Sequence, residues 1–529
     1  MNDQAEYQNQ QALVAALIKN LPFPHAVKAV RLVETHISWV LLAGHYAYKI
    51  KKAVNLGFLD FTGVEVRRRY CEEEIRLNRR LAPRIYLEVT PIGGSPDRPE
   101  FGMQPAIEYA VRMRRFASTR LLDHLLARGK LPTEVMERLA ATLAAFHGRI
   151  PQADLDTEFG TPAIILDAAV QNFDQLQSLL TAQADCASVA ALRKISQSEF
   201  AACNLLFEQR RKVGFVRECH GDLHLGNVVL IGAEPIPFDG IEFDPGLRWI
   251  DVMNEVAFMV MDLLYRRRPD LAYRFLNGWL EATGDYGGVS VLRFYLAYRA
   301  VVRAKVKAIR AFQTRQVDTK ALAACRGYLA LAQECFVRRP ALIITHGLPG
   351  SGKSTFALAA AERLQAIRIR SDVERKRLYG MDALHKSHSG ADAGIYSADA
   401  TRRTYARLLE LARGLLDAGF PVVVDAAFLR QDEREKFHGL ALDRQVPFAI
   451  ASMQASDTVL HARIKKRQIA ARDASEADIN VMHRLKEGRQ PLSRHELAST
   501  VKMQNDSEGM IADARSWEKL DKLLAGQGG

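Results

Sequence analysis

The stretch Gly347-Leu348-Pro349-Gly350-Ser351-Gly352-Lys353-Ser354-Thr355 holds residue types that gather phosphate oxygens. Its glycines free backbone N–H groups to converge on an anion, and a helix starting at its end adds partial positive charge. Lys353 is spaced to reach the β- and γ-phosphates of a nucleoside triphosphate, and the Ser354 hydroxyl to ligate Mg²⁺. The flanks fit. Ala341–Thr345 is an apolar run that reads as a strand, and Phe356–Leu364 has helical spacing. ATP with Mg²⁺ is the expected ligand.

Acids and cations follow at useful places. Ile367–Arg370 alternates as a strand and runs into Ser371-Asp372-Val373-Glu374-Arg375. Asp372, at the C-terminal end of a parallel strand, is placed as general base for an incoming hydroxyl, and Arg375 to hold a substrate anion. The β-branched run Val422-Val423-Val424 ends in Asp425, the expected second acid near Mg²⁺. A basic helix then carries Arg463, Arg467 and Arg472, of which Arg467 is the first candidate for a lid arginine over the phosphates. Phe448–Met453 supplies another strand. The tail from Ser493 is weakly patterned apart from a closing helix at Asp513–Leu524.

A second constellation lies upstream. His220-Gly221-Asp222-Leu223-His224-Leu225-Gly226-Asn227 has the spacing His-x-Asp-x4-Asn of a kinase catalytic loop. Asp222 can accept the proton of an attacking hydroxyl, Asn227 can ligate Mg²⁺, and His220 can brace the loop through backbone hydrogen bonds. The apolar strand Val228–Ile231 is followed by Pro235–Gly240, so a hairpin would return Asp239 to the same end as the other Mg²⁺ ligand. Asp251 either caps the helix after it or braces the catalytic loop.

Further upstream, Val30–Val33, Trp39–Leu42 and Tyr46–Lys51 read as three short strands. Lys49 and Lys51 share one face of the third, opposite Tyr48 and Ile50. The helix expected over Arg67–Leu81 carries Glu72-Glu73-Glu74. A strand lysine paired with a helix glutamate can hold the α- and β-phosphates; Lys49 with Glu74 is the preferred pair, Lys51 and Glu73 the alternates. Glu108–Met113 reads as a further strand. Helical periodicity then dominates, over Val135–His147, Ala168–Leu180, Gln197–Lys212, Ile250–Arg266 and Phe294–Phe312.

The bulk properties set limits. A chain of 529 residues, 48% hydrophobic and 25% charged, should hold two or more soluble domains. No uncharged apolar run is long enough to span a membrane, and the polar start MNDQAEYQNQ lacks the pattern of a signal peptide. The six cysteines are scattered with no CxxC pair, which suggests reduced thiols, a cytoplasmic setting and no zinc site. The net charge of +12 divides into +7 before residue 341 and +5 from there on, so no basic tail marks a nucleic-acid arm. A moderate positive field suits phosphorylated ligands equally.

HGDLHLGNV at 220–228, FDGIEFDP with Asp239, and Asp251 ahead of its helix resemble the aminoglycoside phosphotransferase family, whose fold is protein-kinase-like. The resemblance implies ATP-dependent phosphorylation of a small-molecule hydroxyl, with Asp222 as base and Asn227 and Asp239 as metal ligands. GLPGSGKST, Ser371–Arg375 and VVVDA with Arg463–Arg467 resemble the P-loop kinases that include polynucleotide 5′-hydroxyl kinases, gluconate kinase and zeta toxins. That implies Asp372 as base, Arg375 as substrate contact and Arg467 as lid arginine. The short domain shows no sensor-arginine arrangement, which argues against a ring ATPase.

The expected architecture is an α+β bilobal kinase-like domain over 1–336 (small lobe to about 115) followed by an α/β P-loop domain over 341–529. The fused whole resembles bacterial two-domain predicted kinases. The expected activity is transfer of the γ-phosphate of ATP to a hydroxyl-bearing small molecule. The rival readings are a polynucleotide 5′-hydroxyl kinase in the C-terminal half, for which nucleic acid is permitted but not required, and a nucleotide-sensing NTPase. No membrane partner is expected, and the sequence leaves the acceptor and the oligomeric state open.

Overall fold

The computed structural model describes residues 3–55, 57, 59–313, 316–387, 394–470, 474–507 and 513–525. Arg472 lies outside them. The chain folds as two compact units, Met1–Asp167 with Phe207–Met259, and Ala168–Leu206 with Val260–Gly529.

The first unit is built on a six-stranded antiparallel sheet. Its strands are β1 (Val30–Glu34), β2 (Ser38–Ala43), β3 (Tyr46–Lys51), β4 (Tyr86–Ser95), β5 (Arg98–Phe101) and β6 (Ala106–Arg114), in the spatial order β1-β2-β3-β6-β4-β5. The period-2 alternation of β3 sorts its side chains. Tyr48 and Ile50 join a core with Trp39, Leu41, Ile92 and Ala110. Lys49 and Lys51 take the other face, where the helix Val64–Asn78 offers Glu74. Sequence patterning missed β4 and β5, because Pro91 and the pair Gly93-Gly94 erase the β signal that β4 would otherwise carry. It also left the N-terminus without structure. Asp3–Asn20 is a helix there, closing the sheet core with Leu13, Val14 and Leu17 at helical spacing.

The same unit holds two small antiparallel pairs. β7 (Val216–Glu218) pairs with β10 (Trp249–Asp251), and β8 (Val228–Ile231) forms a hairpin with β9 (Glu234–Pro237). The helix expected from Ile250 therefore starts at Val252, since Trp249–Asp251 is held extended by β7.

The second unit contains a five-stranded parallel sheet of β11 (Leu342–His346), β12 (Ile367–Arg370), β13 (Val422–Asp425), β14 (Phe448–Gln454) and β15 (Thr500–Gln504), in the order β12-β13-β11-β14-β15. The apolar runs that read as strands form β11 and β13, and both are buried along their whole length, as parallel strands in the middle of a sheet are. β15 lies in the tail read as weakly patterned; five residues with two outward polar side chains, Lys502 and Gln504, are too short a signal. The closing helix is Ala514–Ala525, and its Leu520 reaches the sheet core beside Phe356 and Val501.

The edge strand β12 is covered by a side chain from the helix Pro269–Thr283. Asn277 donates from Nδ2 to the Ala366 carbonyl at 2.9 Å and accepts at Oδ1 from the Arg368 amide at 2.6 Å, replacing a missing strand. Helices of residues 168–206 and 260–335, counted with the first domain from sequence, thus group with the P-loop sheet in the second unit. The six cysteines are free. Among the described residues no helix is long and apolar enough to cross a membrane.

Asn277→Ala leaves the Arg368 amide of β12 and the Ala366 carbonyl just before it without this partner. The variant should lose about 2 kcal/mol, read as a lower urea midpoint of the second unit. An unchanged midpoint would show that water replaces the amide freely.

Candidate functional sites

The turn Gly347–Gly352 connects β11 to the helix Lys353–Leu364. Gly347, Gly350 and Gly352 have φ of 148°, 83° and 97°, a region that other residues enter at a cost. A Cβ on Gly352 would fall 2.0 Å from Asn505 Nδ2. Asn505, just past β15, donates from Nδ2 to the Ser351 carbonyl at 2.9 Å and holds the turn from behind. No local signal marks it, because its role depends on a strand that comes about 150 residues after the turn.

Around the turn is a cavity of about 1290 Å³. Its walls include Lys353, Ser354, Asp372, Arg375, Asp425, Arg463 and Arg467. Ser354 Oγ donates to Asp425 Oδ1 at 3.2 Å. Asp425 Oδ2 is buried and, among the described residues, has no hydrogen-bond partner. Arg370 Nε stands 3.5 Å from it. Burial raises the Asp425 pKa above the ordinary carboxylate range, and the charges of Arg370 and Arg368 pull it back. A hydroxyl beside an orphaned carboxylate oxygen is a hard-oxygen donor set that suits Mg²⁺. Lys353 Nζ donates to the Leu348 carbonyl at 2.8 Å.

Asp372 sits half-buried in the first turn of the helix Ser371–Leu378, at the end of β12. Arg375 is buried, with its guanidinium 5.2 Å from the Tyr396 ring centre and bonded to the Ile395 carbonyl at 2.8 Å. The two basic-helix arginines differ. Arg463 reaches the turn, bonding the carbonyls of Gly350 at 3.4 Å and Asn505 at 2.9 Å. Arg467, ranked first from sequence, bonds the Ala477 carbonyl at 2.5 Å instead.

The other constellation lies in the first unit. Lys49 Nζ bridges Glu74 Oε1 at 2.8 Å and Asp239 Oδ1 at 2.7 Å. Lys51 Nζ takes the other oxygen of Glu74 at 2.7 Å and also bonds Glu242. Both lysines therefore meet one glutamate, while Glu73 pairs with Arg76 and Arg248. Burial disfavours charge on Lys49, but Asp239, Glu74 and Glu242 outweigh it and hold its pKa well above the ordinary lysine value. Burial likewise raises Glu242, against the pull of Lys51.

The β8–β9 hairpin brings Asn227 and Asp239 to one end, joined by the Phe238 N–H donating to the Asn227 carbonyl at 2.9 Å. Asn227 Nδ2 donates to the Asp222 carboxylate at 2.9 Å and to its carbonyl at 3.0 Å. Asp239 has φ of 62°, a left-handed backbone outside glycine's usual territory that turns its side chain towards Lys49. His220 braces the loop: Nε2 donates to the Phe238 carbonyl at 2.8 Å, and Nδ1 faces the Asp222 amide at 3.4 Å.

Sequence reasoning missed Glu255. Its Oε1 accepts from the backbone amides of His220 at 2.6 Å and Gly221 at 2.8 Å, and its Oε2 meets His147 Nε2 at 2.7 Å. Asp251, the residue read as cap or brace, is the cap: Oδ1 accepts from the Met253 amide at 2.8 Å, and Arg210 grips it from the side. Glu255 one turn further on was concealed by its apolar surroundings on the helix Val252–Tyr265. The ligand atoms of His147, Cys219 and Glu255 lie within 4.8 Å of one another. Three hydrogen bonds already occupy both Glu255 oxygens, so this group is a structural brace.

A kinase-like sheet with its lysine–glutamate pair, followed by a parallel P-loop sheet, defines the class of chain. Residues 342–492 match the family described as an AAA domain. The chain belongs to the family of an uncharacterized protein of Mycobacterium tuberculosis, 32% identical over 471 residues that cover 85% of this chain and 91% of that one. Among solved structures, an amicoumacin kinase in complex with AMP-PNP, Ca²⁺ and Ami is 13% identical with a TM-score of 0.41, covering 64% of this chain and 97% of that one. A gluconokinase from Sinorhizobium meliloti 1021 is 22% identical with a TM-score of 0.24, covering 36% and 93%.

His346, at the end of β11 before the turn, is fully buried with Nδ1 2.9 Å from Ser452 Oγ. Burial lowers its pKa from 6.5 to about 3, with Arg489 and Arg434 adding to the shift. The folded imidazole stays neutral while the unfolded one protonates, so its contribution is present above pH 6.5 and fades as pH falls towards 3. Going from pH 7.5 to 5 should therefore cost wild type roughly 2 kcal/mol at this site. His346→Gln should lose correspondingly less over the same range. Equal losses by chemical denaturation would refute a neutral buried imidazole.

Proposed function

We propose that this protein is an ATP-dependent phosphotransferase with two nucleotide sites, each passing a γ-phosphoryl group to a hydroxyl acceptor. The observation that carries the proposal is the shared cavity of Lys353, Ser354, Asp425 and Asp372. It offers an anion cradle, a hard-oxygen pair and a carboxylate base on one surface.

In the P-loop half, Lys353 and the turn amides of Gly350–Thr355 hold the phosphates, with Arg463 and Arg467, which line the same cavity, countering charge. Ser354 and Asp425 would hold Mg²⁺, which supplies charge neutralisation on the phosphate oxygens. The acceptor O–H gives its proton to Asp372 as the new O–P bond forms. The bond from the γ-phosphorus to the bridging oxygen breaks, and ADP leaves. Arg375 orients the acceptor.

In the kinase-like half, Lys49, fixed by Glu74, contacts the α- and β-phosphates, and Asn227 and Asp239 would hold Mg²⁺. Asp222 takes the acceptor proton. The support is the Lys49–Glu74–Asp239 chain of ion pairs beside the Asp222–Asn227 hydrogen bond. We assign these activities to modules 1–336 and 341–529, acting on small molecules in the cytoplasm, where six free thiols are stable.

The test is transfer of labelled γ-phosphate from ATP to pooled aminoglycosides, sugars, nucleosides and 5′-hydroxyl oligonucleotides. A product of the kinase-like site should fall roughly a hundred- to ten-thousandfold in Asp222→Ala and persist in Lys353→Ala. A product of the P-loop site should show the reverse. Failure of the wild-type protein to bind ATP at either site would overturn the proposal.

A further inference from the structure

The helix Pro269–Thr283 does more than cover β12. Near its C-terminus Glu281 forks two arginines of that strand. Its Oε2 accepts from Arg368 Nη2 at 2.9 Å and its Oε1 from Arg370 Nη1 at 2.8 Å. The glutamate is itself anchored, since Arg377 Nη2 donates to its backbone carbonyl. Arg370 also faces the other way. Its Nε is 3.5 Å from Asp425 Oδ2, close enough for attraction and outside hydrogen-bond reach.

This geometry poses a choice for Arg370. The Asp425 oxygen nearest it is buried and carries no hydrogen bond among the described residues. A guanidinium is built to chelate such a carboxylate through two parallel N–H groups, and in a buried site that pair would be strong. It would also occupy the oxygen that a divalent cation needs. The Nη1 bond to Glu281 holds Arg370 short of that arrangement.

We infer that Glu281 is a positioning residue for the P-loop site, holding Arg370 beside Asp425 rather than on it and so keeping the carboxylate open to a divalent cation. The inference rests on the reading of Asp425 as the Mg²⁺ ligand. Glu281 belongs to a helix that precedes the P-loop strand by some 60 residues and touches neither nucleotide nor metal in this scheme. Its influence passes through the arginines it holds, of which Arg370 stands 3.5 Å from the Asp425 carboxylate. The companion contact with Arg368 fixes the fork, while the guanidinium beside the Asp425 carboxylate is that of Arg370.

The experiment is Mg²⁺ titration of fluorescent N-methylanthraniloyl-ADP binding to the full chain, in a Lys49→Ala/Asp239→Ala background that silences the other site. Glu281→Gln should raise the half-saturating Mg²⁺ concentration roughly ten- to a hundredfold, with affinity for the nucleotide in EDTA unchanged. Glu281→Asp should fall between. Adding Arg370→Gln to Glu281→Gln should return the Mg²⁺ midpoint towards that of the background protein, a rescue that general loss of packing would not give. An unmoved midpoint in Glu281→Gln would overturn the inference. So would failure of Arg370→Gln to rescue, or an equal loss of metal-free nucleotide binding. If the background protein binds no nucleotide in a manner that Lys353→Ala abolishes, the P-loop reading itself falls and takes the inference with it.

Discussion

A carboxylate taken out of water must be met by cations or hydrogen-bond donors, or it will not stay ionised. Both sites are arranged around that constraint. Glu74 is fully buried and is met by two lysines, one on each oxygen. Burial pushes its pKa up, yet Lys49 and Lys51 win and hold it below the ordinary value. Asp425 is met less completely, by one hydroxyl and a guanidinium at a distance, and its pKa stays raised. The difference fits the roles proposed for them: the first carboxylate fixes a lysine, and the second keeps one oxygen without a hydrogen bond among the described residues.

Chain topology delivers the charged groups to these points. In the parallel sheet, the C-terminal ends of β11, β12 and β13 lie side by side, so the turn after β11, Asp372 after β12 and Asp425 on β13 share one edge without any contact in sequence. In the kinase-like unit, antiparallel hairpins do the equivalent work. β8 and β9 fold Asp239 back beside Asn227, and the pleat of β3 commits both lysines to the face that the helix Val64–Asn78 covers.

What could be read from sequence follows from how far apart the partners are. The P-loop turn is legible because strand, glycines, lysine and helix lie within one short window. The loop from His220 to Asn227 is legible for the same reason, and Lys49 with Glu74 because alternation and helix periodicity each fix a face. Glu255, Asn505 and Glu281 were not legible. Each acts on a backbone or side chain brought near by tertiary folding, and each sits in a local context that gives an ordinary helix or loop residue. β15 and the helix Asp3–Asn20 were missed because short or polar segments gain their structure from packing rather than from propensity. The alternates for the lysine–glutamate pair resolve into one cluster, since Lys51 shares Glu74 and Glu73 turns to arginines.

Motif and packing divide this chain differently, and the edge strand explains why. By motif the second domain begins at the P-loop strand, but β12 would then present an open row of backbone groups to solvent. Asn277 closes that row, Glu281 ties its arginines, and Arg274 pairs with Glu362 on the P-loop helix at 2.6 Å, all from one helix that precedes the strand in sequence. Arg293, on the next helix, adds bonds to the carbonyls of Ala418 and Gly419 that lead into β13. The residues before the P-loop strand are therefore part of what covers its sheet. They make their side-chain hydrogen bonds to β12, the strand that leads into Asp372, and to the segment that leads into β13.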